Sequence, residues 1–576
     1  RLGAYYGKLE QWIFEPKVAD SLFNDYIKRA DVKVLYKYRI TDVQLANGYI
    51  KNITLESSDG TKLGKSIAAK VFIDCTYEGD LMAKAGVSYI IGREDNKQYG
   101  ETYNGVQLMK GHQFPDGVDP YKIKGDSTSG LLWGISPAAL SSDGTGDKLV
   151  QAYNYRICLT DNPANKIEIT RPENYDSTKY ELLLRLFDAQ PNKRKLNHYF
   201  IWSRMPNNKT DINNRGGFST DMIGMNHNYP EASYEERAEI IKAHKDYTQG
   251  LLYFYKTDPR VPQELRDEIQ AWGYPKDEYT EDNHWSPQLY IRESRRMTGD
   301  YVMTQAHCEG RETVTDGIGM AAYTMDSHNC QRLLVKKDGK YIVKNEGNVE
   351  ISGGLPYPIS YRSIIPKEEE CKNLLVPVCL SASHIAYGSI RMEPVFMVLA
   401  QSAAIAAAEA INTGSVQTVD IKKVQALLHE NPLLDDSFSE ILIDDSELDL
   451  SINNDWEVIK KQGGYGPTFL KSKVRNGSPV RFSPHMEHEG KYKVYTYYHM
   501  RKDISPAITY SISNGIDSWT RVIHKDSVRI EGQTTGEWIE LGTYNFQKSS
   551  MPYIEISTGD TSGAVIADAV LFIPVK

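Results

Sequence analysis

Residues 373–411, NLLVPVCLSASHIAYGSIRMEPVFMVLAQSAAIAAAEAI, constrain the fold more than any other stretch of the chain. They open on a short apolar run, 374–380, of the length of a buried strand. Small polar residues follow, and Ser381, Ala382, Ser383, His384, Gly388 and Ser389 predict a loop. From about Met392 to Ile411 the residues Ala, Val, Met and Ile dominate, and a helix is expected. Strand, small-residue loop and Ala-rich helix form the unit that brings backbone N–H groups up to a phosphate or an extended ligand. An ordinary buried βα unit of an α/β core shows the same pattern.

A second unit of this kind lies earlier, in KVFIDCTYEGDLMAKAGVSY. Apolar Val71 to Ile73 lead into Asp74, Thr76, Glu78, Gly79 and Asp80 and then a short helix, with Gly79 as a close-approach glycine. Ahead of it, EPKVADSLFNDYIKRA places Val18, Leu22, Phe23, Tyr26 and Ile27 on one helical face, with Pro16 in the first turn. Residues 33–63 then alternate in the strand manner, with Asn47-Gly48 and Asp59-Gly60 as hairpin turns. Residues 100–345 are rich in Tyr, Asn, Asp and Trp, and a helix over Tyr234 to Tyr255 is their clearest regular element. From about Ser451 short β-rich runs recur between turns, which predicts a β-sandwich. Residues 421–450, with Pro432 and the acidic run DDSELD, are expected to connect the two parts.

A chain of 576 residues is too long for one core. Its net charge of −9 and the absence of a long basic run argue against a nucleic-acid partner. The Ala-rich helix carries Gln401, Ser402 and Glu409, so no transmembrane segment is expected there. Six scattered cysteines without a CxxC pair suggest neither a zinc ribbon nor a disulfide framework. HExxH and clustered His/Asp spacing are absent, Asp444-Asp445 falls in the expected connection, and a metal site is not predicted. A GxSxG elbow is also missing. Arg1 is not a start methionine and nothing ahead of Trp12 resembles a signal peptide, so the chain looks like the remainder of something longer.

VFIDCTYEGDLMAKAGVSY, HWSPQLYIRESRRMTGDYVMT, PYPISYRSIIPK and LLVPVCLSASHIAYGSIRMEPVFMVLAQSAAIAAA, in that order, resemble the FAD-dependent oxidoreductase family often found in polysaccharide-degrading Bacteroidetes. Its members frequently carry the label xanthan lyase by association. The tail, with SPVRFSPHMEHEGKYKVYTYYH, GEWIELGTYNF and VIADAVLF, resembles the golvesin or xanthan-lyase C-terminal sandwich module, which accompanies extracellular carbohydrate-active proteins.

The resemblance implies an α/β FAD/NAD(P)-binding-like region over residues 1–420, with an inserted α+β substrate part at about 100–345. A linker at 421–450 and an all-β, carbohydrate-binding-like sandwich at 451–576 would follow. It implies FAD as cofactor and a periplasmic or extracellular location. The family's GxGxxG does not occur before residue 100, so the N-terminal βαβ is expected to be missing, FAD binding weakened and the chain cofactor-free. Gly317-Ile318-Gly319-Met320-Ala321-Ala322 formally fits GxGxxA but leads into YTMDSHN, and a tight loop is expected there.

By the same resemblance Ser381, Ala382, Ser383 and His384 correspond to the last FAD loop. Gly388, Ser389, Arg391, Met392 and Glu393 correspond to the start of the flavin-facing helix, and Asp74, Thr76, Glu78 and Gly79 to a second FAD-contacting strand end. His284, Arg292, Asp326, His328 and Arg362 are the substrate-side candidates, because the cofactor supplies the redox step and the protein a proton acceptor. His328 suits that role as a neutral imidazole, with Asp326 sharing the work or facing solvent. Arg292, Arg295 and Arg296 are expected on one helical stretch, gripping a carboxylate or forming a solvated face.

The function expected is oxidation of a carbohydrate-derived alcohol or related small molecule. A polysaccharide lyase or a non-catalytic carbohydrate-binding protein are the alternatives. Exposed aromatics in the sandwich, Tyr465, Trp519, Trp538 and the Tyr495/Tyr497/Tyr498 cluster, would hold a polysaccharide, although alternate members must face the core.

Overall fold

The computed structural model describes all residues except 1, 7, 354–355, 432–437, 449–453, 461–463, 467, 531–535, 549, 560–561 and 576. Pro432 of the expected connection lies outside the described residues. Two compact units are present: one of residues 27–202 and 208–425, the other of 1–26, 203–207 and 426–576.

The larger unit is mixed α/β and built of many small sheets. Its first sheet is the antiparallel hairpin Tyr38–Ala46/Tyr49–Ser57 extended by Lys65–Ile67. Asn47 and Gly48 close the hairpin at φ of 56° and 77°, the left-handed pair that matches strand twist. Strand Phe72–Ile73 pairs in parallel with Leu374–Leu375, locked by Asp74 N–H donating to Leu375 O at 2.8 Å. The run 374–380 is therefore strand over only two residues, and 376–380 continues as buried, non-ladder chain. Val376 N–H donates to Ile364 O and Ser381 N–H to Ser363 O, so the backbone leaves its strand partner to satisfy loop carbonyls.

Three further expectations change. Residues 384–390 are a helix rather than loop: Ser383 Oγ caps it by accepting from Ala386 N–H, and small residues let it pack tightly. Gly317–Ala321 is a strand paired with Tyr357–Ser360, not a tight loop, because Gly317 and Gly319 admit Pro358 and Val398 where side chains would collide. Residues 292–295 are not helical and 296–297 form a short strand, because each arginine is drawn to its own buried carboxylate. The helix Glu393–Thr413 is long and apolar enough to cross a bilayer by length and composition alone. In the structure it packs on Gly317–Ala321, with Ser402 Oγ donating to Ile318 O at 2.6 Å.

Most of the larger unit's core comes from the aromatic-rich middle, where Tyr153, Tyr180, Phe200, Tyr247, Phe254, Tyr255 and Trp272 pack with leucines. Its long helix, Tyr234–Thr257, starts at a capping box in which Ser233 and Glu236 satisfy each other's backbone N–H.

In the other unit, one four-stranded sheet runs Ile441–Asp444, Ala569–Pro574, Gly490–His499, Gly536–Phe546. A second runs Val480–Phe482, Tyr553–Ser557, Ala507–Ser513, Ser518–His524. Alternate residues such as Ile508, Tyr510 and Ile512 fill the core. Residues 421–450, expected as a connection, thus contain the helix Ile421–Glu430 and the sheet's edge strand Ile441–Asp444. Among the aromatics considered for sugar, Tyr495, Tyr498 and Trp538 are buried, whereas Tyr465 and Trp519 stand 44% and 36% exposed.

Candidate functional site

Strand Met325–Ser327 pairs with Val349–Ile351 and delivers Asp326 and His328 to one edge. Gly388 lies against this strand, where a Cβ would sit 2.8 Å from Asp326 O, so glycine there sets how closely the 384–390 helix packs. His328 Nδ1 is 2.7 Å from Asp221 Oδ2, and Asp221 Oδ1 accepts from Arg292 Nη2 at 2.9 Å. Burial opposes ionisation of Asp221, yet Arg292 and His328 hold its carboxyl below the usual carboxylate range. An ionised carboxylate only accepts, so the imidazole proton is on Nδ1 and Nε2 keeps its lone pair. Burial, reinforced by the Arg292 charge, lowers the imidazole below its ordinary value and keeps it neutral. Nε2 lies 3.8 Å from Asp326 Oδ1, and the ring retains 12% exposure.

Arg391 donates through Nη2 to Asp326 Oδ2 at 3.2 Å and approaches Tyr290 Oη at 3.5 Å. The His112 ring is centred 6.2 Å from that of His328 and pairs with Glu350. Gln151 accepts from His328 N–H and donates to Glu293, tying this site to a second, wholly buried relay. There Glu293 contacts His384 Nδ1 at 2.8 Å, and His384 Nε2 meets Ser327 Oγ at 2.9 Å. Ser327 has no exposed surface, so this relay fixes the strand rather than attacking a substrate.

His328, Asp326, Arg292 and Arg391 are brought together. His284 is not among them: its Nδ1 faces Glu278 O at 3.2 Å. Arg362 is half exposed, paired with Asp316 and laid over the Tyr301 ring at 3.9 Å. The expected solvated or substrate-gripping arginine face is replaced by internal pairing. Arg292 goes to Asp221, Arg295 to Asp80 and Glu231, and Arg296 to Glu94 and Glu293. Asp221, Gln151, Glu293 and Tyr290 were missed in the sequence. Asp221 stands 107 positions from His328, and nothing local marks it as the histidine's partner.

The residues carried over as FAD contacts are turned inward. Asp74 accepts from Thr76 N–H, Thr76 Oγ1 and Met82 N–H, and Thr76 Oγ1 accepts from Gly79 N–H. Glu78 accepts from Tyr229 Oη, and Ser381 Oγ from Gly299 N–H. Ala382 O accepts from Arg296, Ser383 Oγ donates to Glu101, and Ser389 Oγ donates to Tyr323 O. At the start of the 384–390 helix, His384 N–H is already taken by the Glu94 carboxylate at 2.9 Å. Burial opposes ionisation of Glu94, but Arg296 holds it charged, so a pyrophosphate there would meet like charge. Met392 opens the Glu393–Thr413 helix without a side-chain cap, and Glu393 puts a carboxylate in its first turn. The polar groups of this loop and helix start are thus engaged by partners within the protein. Of the candidate groups, His328 keeps a partly exposed ring with an Nε2 lone pair that no hydrogen bond occupies among the described residues.

Gly79 shows that the turn is nonetheless specialised. It adopts φ of 67°, and an added Cβ would lie 2.8 Å from Met82 Cε and 3.2 Å from Cys379 Cβ. Gly79→Ala is expected to cost about 1–3 kcal/mol, read from urea unfolding.

Residues 2–428 match the family model described as FAD dependent oxidoreductase. The chain belongs to that family. Residues 441–574 match the Golvesin C-terminal domain. No curated protein matches this FAD dependent oxidoreductase family member. Solved structures similar to it include a Paenibacillus xanthan lyase, at 13% identity and a TM-score of 0.21, covering 45% of this chain and 21% of that one. A Podospora anserina GH26-CBM35 β-(1,4)-mannanase is similar at 10% identity and a TM-score of 0.19, over 24% and 28% of the two chains. The CBM35 of Cellvibrio japonicus Abf62 is similar at 12% identity and a TM-score of 0.17, over 24% of this chain and 95% of that module. The chain thus spans about a fifth of the lyase's length.

Proposed function

We propose that this FAD dependent oxidoreductase family member oxidises a carbohydrate-derived alcohol, with His328 as the group that takes the hydroxyl proton. The observation that carries the reading is the Asp221–His328 pair, which leaves a neutral Nε2 at a partly open edge. A substrate hydroxyl within hydrogen-bond reach of Nε2 would pass its proton to that lone pair as its O–H bond breaks. Asp221 then stabilises the imidazolium, and Arg292 keeps Asp221 ionised. Arg391 and Tyr290 supply donors for neighbouring sugar oxygens. Only the proton half of the oxidation is assigned to residues of this chain.

The FAD/NAD(P)-binding-like fold of residues 1–420, the insert at 100–345 and a periplasmic or extracellular setting belong to the same reading, supported by the family match and the golvesin-type module. With the candidate contacts spent internally, the purified chain is expected to lack the absorption of stoichiometric flavin. Activity should require FAD added in excess. Reduction of an artificial acceptor by a panel of sugar alcohols, aldoses and uronic acids tests the reading, and no turnover of any of them would sink it.

A second reading, cleavage of an acidic polysaccharide by elimination, is favoured by the grouping of His328, Tyr290 and Arg391. Histidine or tyrosine would remove the proton and arginine would neutralise the carboxylate. Release of an ultraviolet-absorbing unsaturated product without added flavin would select this reading.

A further inference from the structure

Three carboxylates meet at one end of the sandwich. Asp444 closes the strand Ile441–Asp444, Asp445 follows it, and Asp568 sits between Ile566–Ala567 and Ala569–Pro574. One oxygen from each lies within 4.8 Å of the others. Asp568 is fully buried and Asp445 is 2% exposed.

The hydrogen bonds around them are incomplete. Asp568 Oδ2 accepts from His499 Nε2 at 2.5 Å and from Tyr465 N–H at 2.8 Å. Both Asp445 oxygens accept from the one Thr468 hydroxyl, at 3.1 and 2.9 Å. Asp444 Oδ1 accepts from Ser446 N–H and Oγ. Asp568 Oδ1 and Asp444 Oδ2 are buried and have no hydrogen-bond partner among the described residues. Buried polar atoms are ordinarily paired, so two orphaned carboxylate oxygens in one cluster call for a cation. Gly466 packs against the same group, where a Cβ would lie 2.6 Å from Asp444 Oδ2.

We propose that Asp444, Asp445 and Asp568 bind a hard divalent cation of the calcium type. All three donors are carboxylate oxygens, the set that selects hard cations over zinc or copper. Oxygens bound to calcium at about 2.3–2.6 Å stand up to about 5 Å apart, the spread found here.

The ion would staple the start of the sandwich to the return before its last strand. Through the Thr468 and Tyr465 contacts it would also hold the adjoining loop. Tyr465, 44% exposed, packs edge-on against Tyr497 and Trp538 at 5.6 and 5.1 Å, so the cation would set the one exposed ring of that cluster.

Calorimetric titration of the chelator-stripped full chain with calcium chloride tests this, together with thermal unfolding in EDTA and in excess calcium. One binding event and a rise of several degrees in the sandwich's transition are expected. Asp568→Asn should lose both responses, and in EDTA should be no less stable than the parent, since it removes a crowded charge. Asp445→Asn, which leaves the His499 contact intact, should behave alike if the first variant fails to fold. Absence of heat and of a calcium-dependent shift in the parent overturns the proposal, as does a full calcium response in the folded variants.

Discussion

His328→Asn is expected to lower kcat/KM for the alcohol substrate by about 10²–10⁴-fold, measured with FAD in excess, because it removes the proton acceptor. On the proposed reading KM should move far less, since the Arg391 and Tyr290 donors are left in place. Asp221→Asn tests the same relay from behind. An amide N–H facing His328 Nδ1 would force the ring proton onto Nε2, the wrong tautomer for accepting a hydroxyl proton. That variant should therefore lose activity with the histidine still present. The sign of the pH dependence follows from the neutral imidazole. Burial and Arg292 depress its folded pKa, so activity should hold as pH falls past the ordinary histidine value of about 6.5 and drop only once pH falls below the depressed folded value. A profile that falls above the ordinary histidine value would contradict the assignment.

The second large effect is structural. Arg296→Met is expected to destabilise the larger unit by about 3–5 kcal/mol, read from its urea transition. The guanidinium donates to Glu94 at 2.6 Å, to Glu293 at 2.8 Å, to Ala382 O at 2.6 Å and to Gly92 O, all of it buried. Removing it strands two carboxylates in a low-dielectric interior. Burial opposes ionisation of Glu293, yet His384 and Arg296 hold its carboxyl down at about 2. A depressed carboxylate contributes stability that is fully present above its unfolded value of 4.5 and lost as pH falls toward about 2. The variant should lose that acid window. Adding Glu94→Gln and Glu293→Gln should recover part of the loss, which a packing defect alone would not allow.

The same arginine separates what local pattern encodes from what long-range pairing decides. Arg292, Arg295 and Arg296 have the spacing of an exposed helix face, and the local pattern offers no sign to the contrary. In the structure their partners are Asp221, Asp80 with Glu231, and Glu94 with Glu293, brought from distant segments. Charged runs are ambiguous in this way because period reports on water-facing surfaces, while a buried ion pair depends on what another segment presents. His384 is similar. The resemblance assigns it to a cofactor loop, and the fold gives it Glu293 and Ser327 instead.

The sequence by itself determined what depends on short range. The Asn47-Gly48 hairpin, the capped helix starting at Tyr234, the strands of the sandwich and the family motifs all express local propensity, period and turn chemistry. Only the tertiary structure decided the chemistry. In the strand–loop–helix at 373–411 the loop's polar groups are bonded to Glu94, Glu101 and Arg296, residues from distant segments. Asp221 found His328, and Asp568 found Asp444 and Asp445, across separations that no local pattern encodes. Such meetings are settled by which buried charges can be paired when the whole chain packs.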